Sequence, residues 1–341
     1  WRFMTSKIEV DKKQIDKFRK KEITSSELYN NSEPETFLSE DSQNSALLPE
    51  DKNLNLENVT SGYLTNEQGT FLPASAFVKI LPAGYYEVLE SRGAAVEFLN
   101  IELEASDLIL FSNSIAEEIL LELGKFWKLG SAYKAWGESH KRGILIYGGD
   151  GSGKNSTMKI VMSNCIQKGY LVFDSSFVVS EGITRIRDIE GNRPILVIIE
   201  DIDRIIMDPV AEAKILDLLD GIGVINNVVF LATTAYPERL PTSLKNRPSR
   251  FDRVMHQDYP DEITRKKYLQ LKSSLKGKEL NTWVKDTNNW SFAHIKELIV
   301  SVIMLDTDYK VSIDRINKLR QEVATSEVAI SSHNIGFKTK R

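Results

Sequence analysis

The spacing of apolar positions changes along the chain. From Gly62 to Leu110, short apolar pieces (Phe71-Leu72, Ala76–Ile80, Tyr85–Leu89 and Val96–Ile101) alternate with Gly, Pro and Asn. That pattern predicts a small β-rich accessory domain over residues 61–112. Ser114 followed by Glu117 reads as a capping box for a helix from about Ile115 to Lys128, with Ile115, Ile119, Leu123 and Trp127 on one stripe. This helix opens a helical linker over 113–142. Between residues 143 and 260, near-continuous apolar runs recur at Gly143–Tyr147, Tyr170–Phe173, Ile195–Ile199 and Val228–Ala232. Helical stretches, from Lys154 to about Lys168 and from Val210 to Leu219, lie between them. Buried strands separated by crossover helices predict an α/β domain on a parallel sheet covered on both faces. After Pro260 the helical period returns over Ile263–Leu275, Phe292–Leu305 and Ile313–Val328, giving a smaller helical domain with a basic tail over 261–341.

Residues 1–60 follow neither period. A basic, helix-forming stretch from Ile8 to Ile23 precedes an acidic segment over 31–60 rich in Ser and Asn. Too few bulky apolar groups are present there to offset the entropy of ordering, so the segment reads as a flexible or partner-wrapped linker.

Composition narrows the function classes. The 341 residues carry 44 Lys plus Arg against 48 Asp plus Glu, net -4, which excludes a globally basic nucleic-acid wrapper. No apolar run approaches the ~20 residues that span a bilayer, and no basic segment followed by an apolar stretch marks a signal peptide. Cys165 is the single cysteine, so no intrachain disulfide forms, and with four scattered His it makes no zinc constellation. A reducing compartment and a cytoplasmic location are the expectation.

The strongest chemical signal is Gly148-Gly149-Asp150-Gly151-Ser152-Gly153-Lys154, placed after an apolar strand and before a helix. Glycines let successive backbone N–H groups curl around phosphate oxygens, the helix N-terminus adds a favourable dipole, and Lys154 reaches the outer phosphates. The residue after Lys154 is Asn155, where the pattern has a Ser or Thr whose hydroxyl holds Mg²⁺; Ser156 and Thr157 follow. An Asn carbonyl oxygen is a legitimate ligand for a hard cation, though on a longer arm. The second signal is the buried strand Ile195–Ile199 ending in Glu200-Asp201-Ile202-Asp203. Glu200 is assigned to the metal side and Asp201 to orienting the attacking water, both acids being candidate Mg²⁺ ligands.

Together these segments resemble the AAA family of P-loop ATPases, over residues 140–305. Ile215-Leu-Asp-Leu-Leu-Asp-Gly221 is similar to the family's leucine-rich helix ending in Asp-Gly, and Arg247-Pro-Ser-Arg250-Phe-Asp-Arg253 to its arginine-finger segment. The Glu200-Asp201 order and Ser180-Glu-Gly-Ile-Thr184 resemble the branch containing the mitochondrial Rieske-protein translocase. The resemblance implies an AAA+ core over 143–260 with a helical lid, ATP and Mg²⁺ as ligands, and a homo-oligomeric ring, usually of six subunits. Arg247 and Arg250 would then reach a neighbour's γ-phosphate. It places Trp136-Gly137 and Ala293-His294, the latter within Trp290-Ser-Phe-Ala-His294, around the adenine. It also puts Ala235 where the family has a water-positioning Asn, and Phe177 in the loop that carries a pore aromatic. The implied function is an ATPase remodelling a protein partner. The alternative is a nucleotide-binding structural or regulatory subunit with slow or absent hydrolysis. The basic run Ile263–Lys278 reads as a solvated lid face, so action on nucleic acid is not favoured.

Overall fold

The computed structural model describes residues 62–65, 71–74, 80–90, 96–105, 108–220, 226–245 and 250–320. The expectations for residues 1–60, Arg247 and the tail after residue 320 lie outside the described residues. The described chain divides into two compact units, one of residues 62–147 and 155–256, the other of residues 148–154 and 257–320. Each is described by itself.

The larger unit is built on nine strands. β1 (Gly62–Thr65) and β2 (Phe71–Ala74) pair antiparallel with each other. The others are β3 (Gly84–Glu90), β4 (Val96–Ile101), β5 (Lys141–Tyr147), β6 (Leu171–Asp174), β7 (Ile195–Ile199), β8 (Val228–Thr234) and β9 (Arg253–His256). They form one sheet in the order β4-β3-β6-β7-β8-β5-β9, in which only the β3–β4 pair is antiparallel. Every residue of β7 and β8 is buried, which explains their unbroken apolar runs. Alternation divides them between two faces. Ile195, Val197 and Ile199 join the core under the helices Val179–Glu190 and Pro209–Asp220; Leu196 and Ile198 join the core under Ile115–Phe126 and Lys154–Gln167. β5 lies between β8 and β9 while β6 and β7 lie beyond β8, so strand order reverses beside β5. That reversal is where open α/β sheets bind ligands, outside the carboxyl ends of the strands.

The β-rich N-terminal region is present, but β3 and β4 pair with the main sheet through β6 and do not form a sheet of their own. Tyr86 and Val88 on β3 are buried in the same core as β6 and β7, and Phe98 on β4 stacks on Phe173 at 5.6 Å. Ser180–Thr184 lies in the helix Val179–Glu190, and Gly182 explains how closely that helix packs. A Cβ there would sit 2.7 Å from Val88 Cγ1.

In the smaller unit, the helices Glu262–Lys272, Gly277–Asp286 and Phe292–Ile299, with helical residues 309–320, enclose Leu269, Trp283, Trp290, Ile295, Leu298 and Ile316. A π-helical turn, Val300–Met304, extends the third helix. The helix Gly277–Asp286 was not anticipated from the sequence. Its three buried residues, Leu280, Trp283 and Val284, fit the helical period but span barely one turn. Among the described residues, no helix is long and apolar enough to cross a membrane.

Candidate functional site

The phosphate loop belongs to the smaller unit, where its glycines answer to close packing and to positive φ. Gly151 and Gly153 have φ +73° and +106°, values that favour glycine. A Cβ on Gly148 would lie 2.1 Å from the Gln257 carbonyl oxygen, and one on Gly151 would meet Ser291 Oγ at 2.8 Å. Ser152 N–H donates to Gly149 O, closing a turn that leaves Gly149, Asp150 and Gly151 at the exposed crest. Lys154, only 6% exposed, donates from Nζ to Gly148 O at 2.7 Å and Gly149 O at 3.1 Å. Its ammonium is therefore held over the loop's own backbone.

Segments that follow β9 clasp this loop. Gln257 Nε2 donates to Ser152 O at 3.2 Å, and Phe292 N–H donates to Gly151 O at 3.1 Å. The Phe292 ring lies beside Gly153 and packs edge-on against Tyr268. Ser291 caps the helix Phe292–Ile299 through His294 N–H and pairs its hydroxyl with His294 Nδ1 at 2.7 Å. Burial, with Arg320 nearby, holds the His294 imidazole below its usual pKa. Ala293 is exposed and His294 half-buried, so both predicted base contacts flank the loop, with Phe292 between Ser291 and them.

The acidic strand end belongs to the larger unit. The register pairs Asp174 with Ile198, and side chains two apart share a face, which sets Asp174 and Glu200 on one side of the sheet. Burial, then Asp174 and Asp201, raise the Glu200 carboxyl above its usual range, while Lys159 opposes the shift. Asp174 is raised in turn by burial and by Glu87, against a hydrogen bond from Ser175 N–H. Asp201 takes a left-handed backbone, φ 45° and ψ 53°, a conformation costing of order 1–3 kcal/mol in a non-glycine residue. Its N–H donates to Thr233 Oγ1 at 3.1 Å, and its carboxylate lies 3.7 Å from Arg204. Thr234 Oγ1 donates to buried Asp203 at 2.6 Å and accepts from Tyr236 N–H. Both threonines beside Ala235 are thus committed to this turn, which sequence reasoning had not assigned to them.

Other predicted positions fare differently. Arg250 does not project from the surface. It is 5% exposed, and Asp220 and the Ser243 carbonyl hold its guanidinium. Within its own unit the guanidinium is engaged by the end of the helix Pro209–Asp220 and by the Ser243 carbonyl. Trp136 is 85% exposed at the end of the helix Gly130–Trp136, which Gly137 terminates in a left-handed cap. Phe177 is 62% exposed with Lys214 Nζ 4.7 Å above its ring.

The donor sets suit the ligands the sequence suggests. Buried Ser152 Oγ and the Gln257 Oε1 atom have no hydrogen-bond partner, which marks the loop as a place where polar atoms await one. Asn155, Glu200 and Asp201 offer only oxygen donors, the chemistry a hard divalent cation takes. Among the described residues, no group of three or more His, Cys, Asp or Glu is placed to hold a metal ion by itself.

Comparison with known proteins places this architecture. Residues 144–259 match the model of the ATPase family associated with various cellular activities, AAA. Among similar proteins are ATP-dependent zinc metalloproteases FtsH. The Sphaerobacter thermophilus FtsH 1 is 29% identical over 215 residues, covering 56% of this chain and 32% of the relative. The Symbiobacterium thermophilum FtsH 2 is 29% identical over 235 residues, 63% of this chain and 37% of the relative. The Chloroflexus aggregans FtsH is 31% identical over 184 residues, 48% and 28% respectively. The chain therefore spans about a third of the length of the relatives it matches. Through residues 144–259, with the glycine loop and acidic strand end where they stand, this chain is similar to the P-loop ATPase domain of the AAA family.

Proposed function

We propose that this protein binds ATP with Mg²⁺ and couples hydrolysis to remodelling a protein partner, acting as a homo-oligomeric ring of six subunits. The observation that carries the reading is the loop Gly148–Lys154, whose glycine geometry and buried lysine suit a polyphosphate. Backbone amides of the loop would hold the phosphates, and Lys154 would exchange its loop carbonyls for phosphate oxygens. Asn155, Glu200 and Asp201 would hold the cation, which when bound supplies neutralising charge on the phosphate oxygens. Glu200 serves the metal side, while Asp201, fixed through Thr233, orients water and accepts its proton. Arg247 is the arginine proposed to reach a neighbouring site. Trp136, Gly137, Ala293 and His294 remain proposed base contacts. The order Glu200-Asp201 supports kinship with the Rieske-protein translocase branch.

Exposed Phe177, Met207 and Val210 support a partner-facing surface of the larger unit. Val210 and Lys214 share a helix face, and Lys214 covers Phe177. The relatives' names describe ATP-dependent proteolysis of their own; only the ATP-driven action on protein is proposed for this chain.

A second reading, a nucleotide-binding regulatory subunit with slow turnover, is favoured by three observations: Asn155 after the lysine, Ala235 at the strand end, and Arg250 locked to Asp220. Phosphate release by the assembled protein separates the two. Release well above that of Asp201→Asn supports the ATPase; ATP binding with release no greater than in that variant leaves the regulatory reading.

A further inference from the structure

Gln257 immediately follows β9, and both its side chain and its main chain contact the phosphate loop. Its carboxamide Nε2 donates to the Ser152 carbonyl at 3.2 Å and lies 3.0 Å from where a Cβ on Gly153 would stand. Its main-chain oxygen fills the space beside Gly148 that any side chain there would need. Two residues on, the Tyr259 hydroxyl stands 2.8 Å from a Cβ position on Gly149. The loop is thus braced at its entry, crest and exit by one extended segment. Ser152 itself is 1% exposed, with its hydroxyl unpartnered, and Gln257 Oε1 is likewise buried without a partner.

A phosphate loop works only if successive N–H groups converge on one point. Each peptide is a rigid plane, so holding the Ser152 carbonyl fixes the direction of the Gly153 N–H on the other side of the same peptide. Gly153, at φ +106°, has no side chain to restrict it otherwise. We infer that Gln257 is a positioning residue for phosphate binding: its carboxamide pins the Ser152–Gly153 peptide so that the Gly153 amide faces the ligand. This rests on the reading that the loop binds a polyphosphate. It predicts that Gln257 acts on every ligand bearing phosphates, whatever base is attached.

Two variants of the full chain test it, with ADP and inorganic pyrophosphate as calorimetric probes. Gln257→Met keeps the length and removes the donor; Gln257→Glu keeps the shape, removes the donor and adds a charge beside the loop. Affinity for both probes is expected to fall about tenfold in Gln257→Met, and further in Gln257→Glu, with thermal unfolding in the absence of ligand unchanged. Wild-type affinity for both probes in Gln257→Met overturns the assignment and leaves the phosphate-loop reading standing. A loss confined to ADP, with pyrophosphate unaffected, also overturns it. Failure of the wild-type chain to bind either probe overturns the phosphate-loop reading itself.

Discussion

Arg250 and Asp220 form a two-pronged ion pair in which Nε meets Oδ1 and Nη2 meets Oδ2, each at 2.7 Å. The pair joins the turn before β9 to the last residue of the helix Pro209–Asp220. Beside it, Asp252 accepts from Gly143 N–H and donates its own N–H to Gly143 O, tying the same turn to β5. A Cβ on Gly143 would fall 1.7 Å from the Arg250 carbonyl oxygen, so turn and strand are in backbone contact. Hydrogen bonds and charge from Asp220 raise the Arg250 guanidinium further above its already high pKa.

Removing one member of such a buried pair strands the other. Arg250→Ala should destabilise the larger unit by roughly 3–5 kcal/mol, read as a lower urea midpoint. Arg250→Lys should recover only part of this, because an ammonium cannot make the parallel bonds. If Arg250→Ala unfolds like wild type yet stops phosphate release, the arginine belongs to catalysis after all.

Lys154 tests the phosphate loop directly. Lys154→Ala removes the cation and two hydrogen bonds to loop carbonyls, and ATP and ADP binding should fall about a hundredfold, measured by calorimetry. The fold core should be untouched, since the sheet residues around β5 pack on Ile144 and Ile146, not on Lys154. Undiminished ADP binding would remove the loop from the site.

The buried bond from Thr234 to Asp203 makes a separate prediction. Thr234→Val keeps the shape and leaves the carboxylate without its 2.6 Å donor, at a cost of about 1–3 kcal/mol. Thr234→Ser should restore most of that stability. Equal urea midpoints for the Val and Ser variants would show the hydroxyl to be irrelevant.

What could be read from the sequence divides along physical lines. The strands β5 to β8 were legible because burial on both faces leaves an apolar run with no competing reading. The glycine loop was legible because few other structures demand that composition before a helix. Strand pairing was not: β3 has ordinary half-buried alternation, and only the partners of Tyr86 and Val88 reveal that it extends the main sheet. The surroundings of Arg250 were not legible either, because a motif specifies residue type and spacing, whereas Asp220, thirty positions upstream, holds the guanidinium. Gln257 carried no signal at all, since a single amide after a strand has no periodicity and belongs to no motif.

Glu200 links stability to activity. Its carboxyl titrates above the usual range because burial, Asp174 and Asp201 all disfavour the charge. A carboxyl raised in the folded state binds its proton more tightly there than in the unfolded chain, so stability falls as pH rises through the interval between the two pKa values. Glu200→Gln removes the charge conflict. It should raise the thermal midpoint near neutral pH while reducing phosphate release. A lower midpoint in Glu200→Gln would mean that the carboxylate makes a stabilising contact outweighing its repulsion.

The helix Glu262–Lys272 offers the opposite pH dependence. Asp261 caps it, accepting from Thr264 N–H at 2.8 Å, and hydrogen bonds from Thr264 hold its carboxyl below the usual range. A depressed folded-state pKa means stabilisation that is complete above the unfolded value, about 3.9, and lost as pH falls through the folded one. Asp261→Ala should therefore cost about 1 kcal/mol at neutral pH and progressively less in acid, where the wild-type cap has lost its charge. Buried Trp283 and Trp290 lie in the core of the same unit and report its unfolding by fluorescence. Urea titrations near pH 7 and near pH 3 give the comparison. An Asp261→Ala deficit of the same size at both would mean that the cap works through shape alone, without its charge.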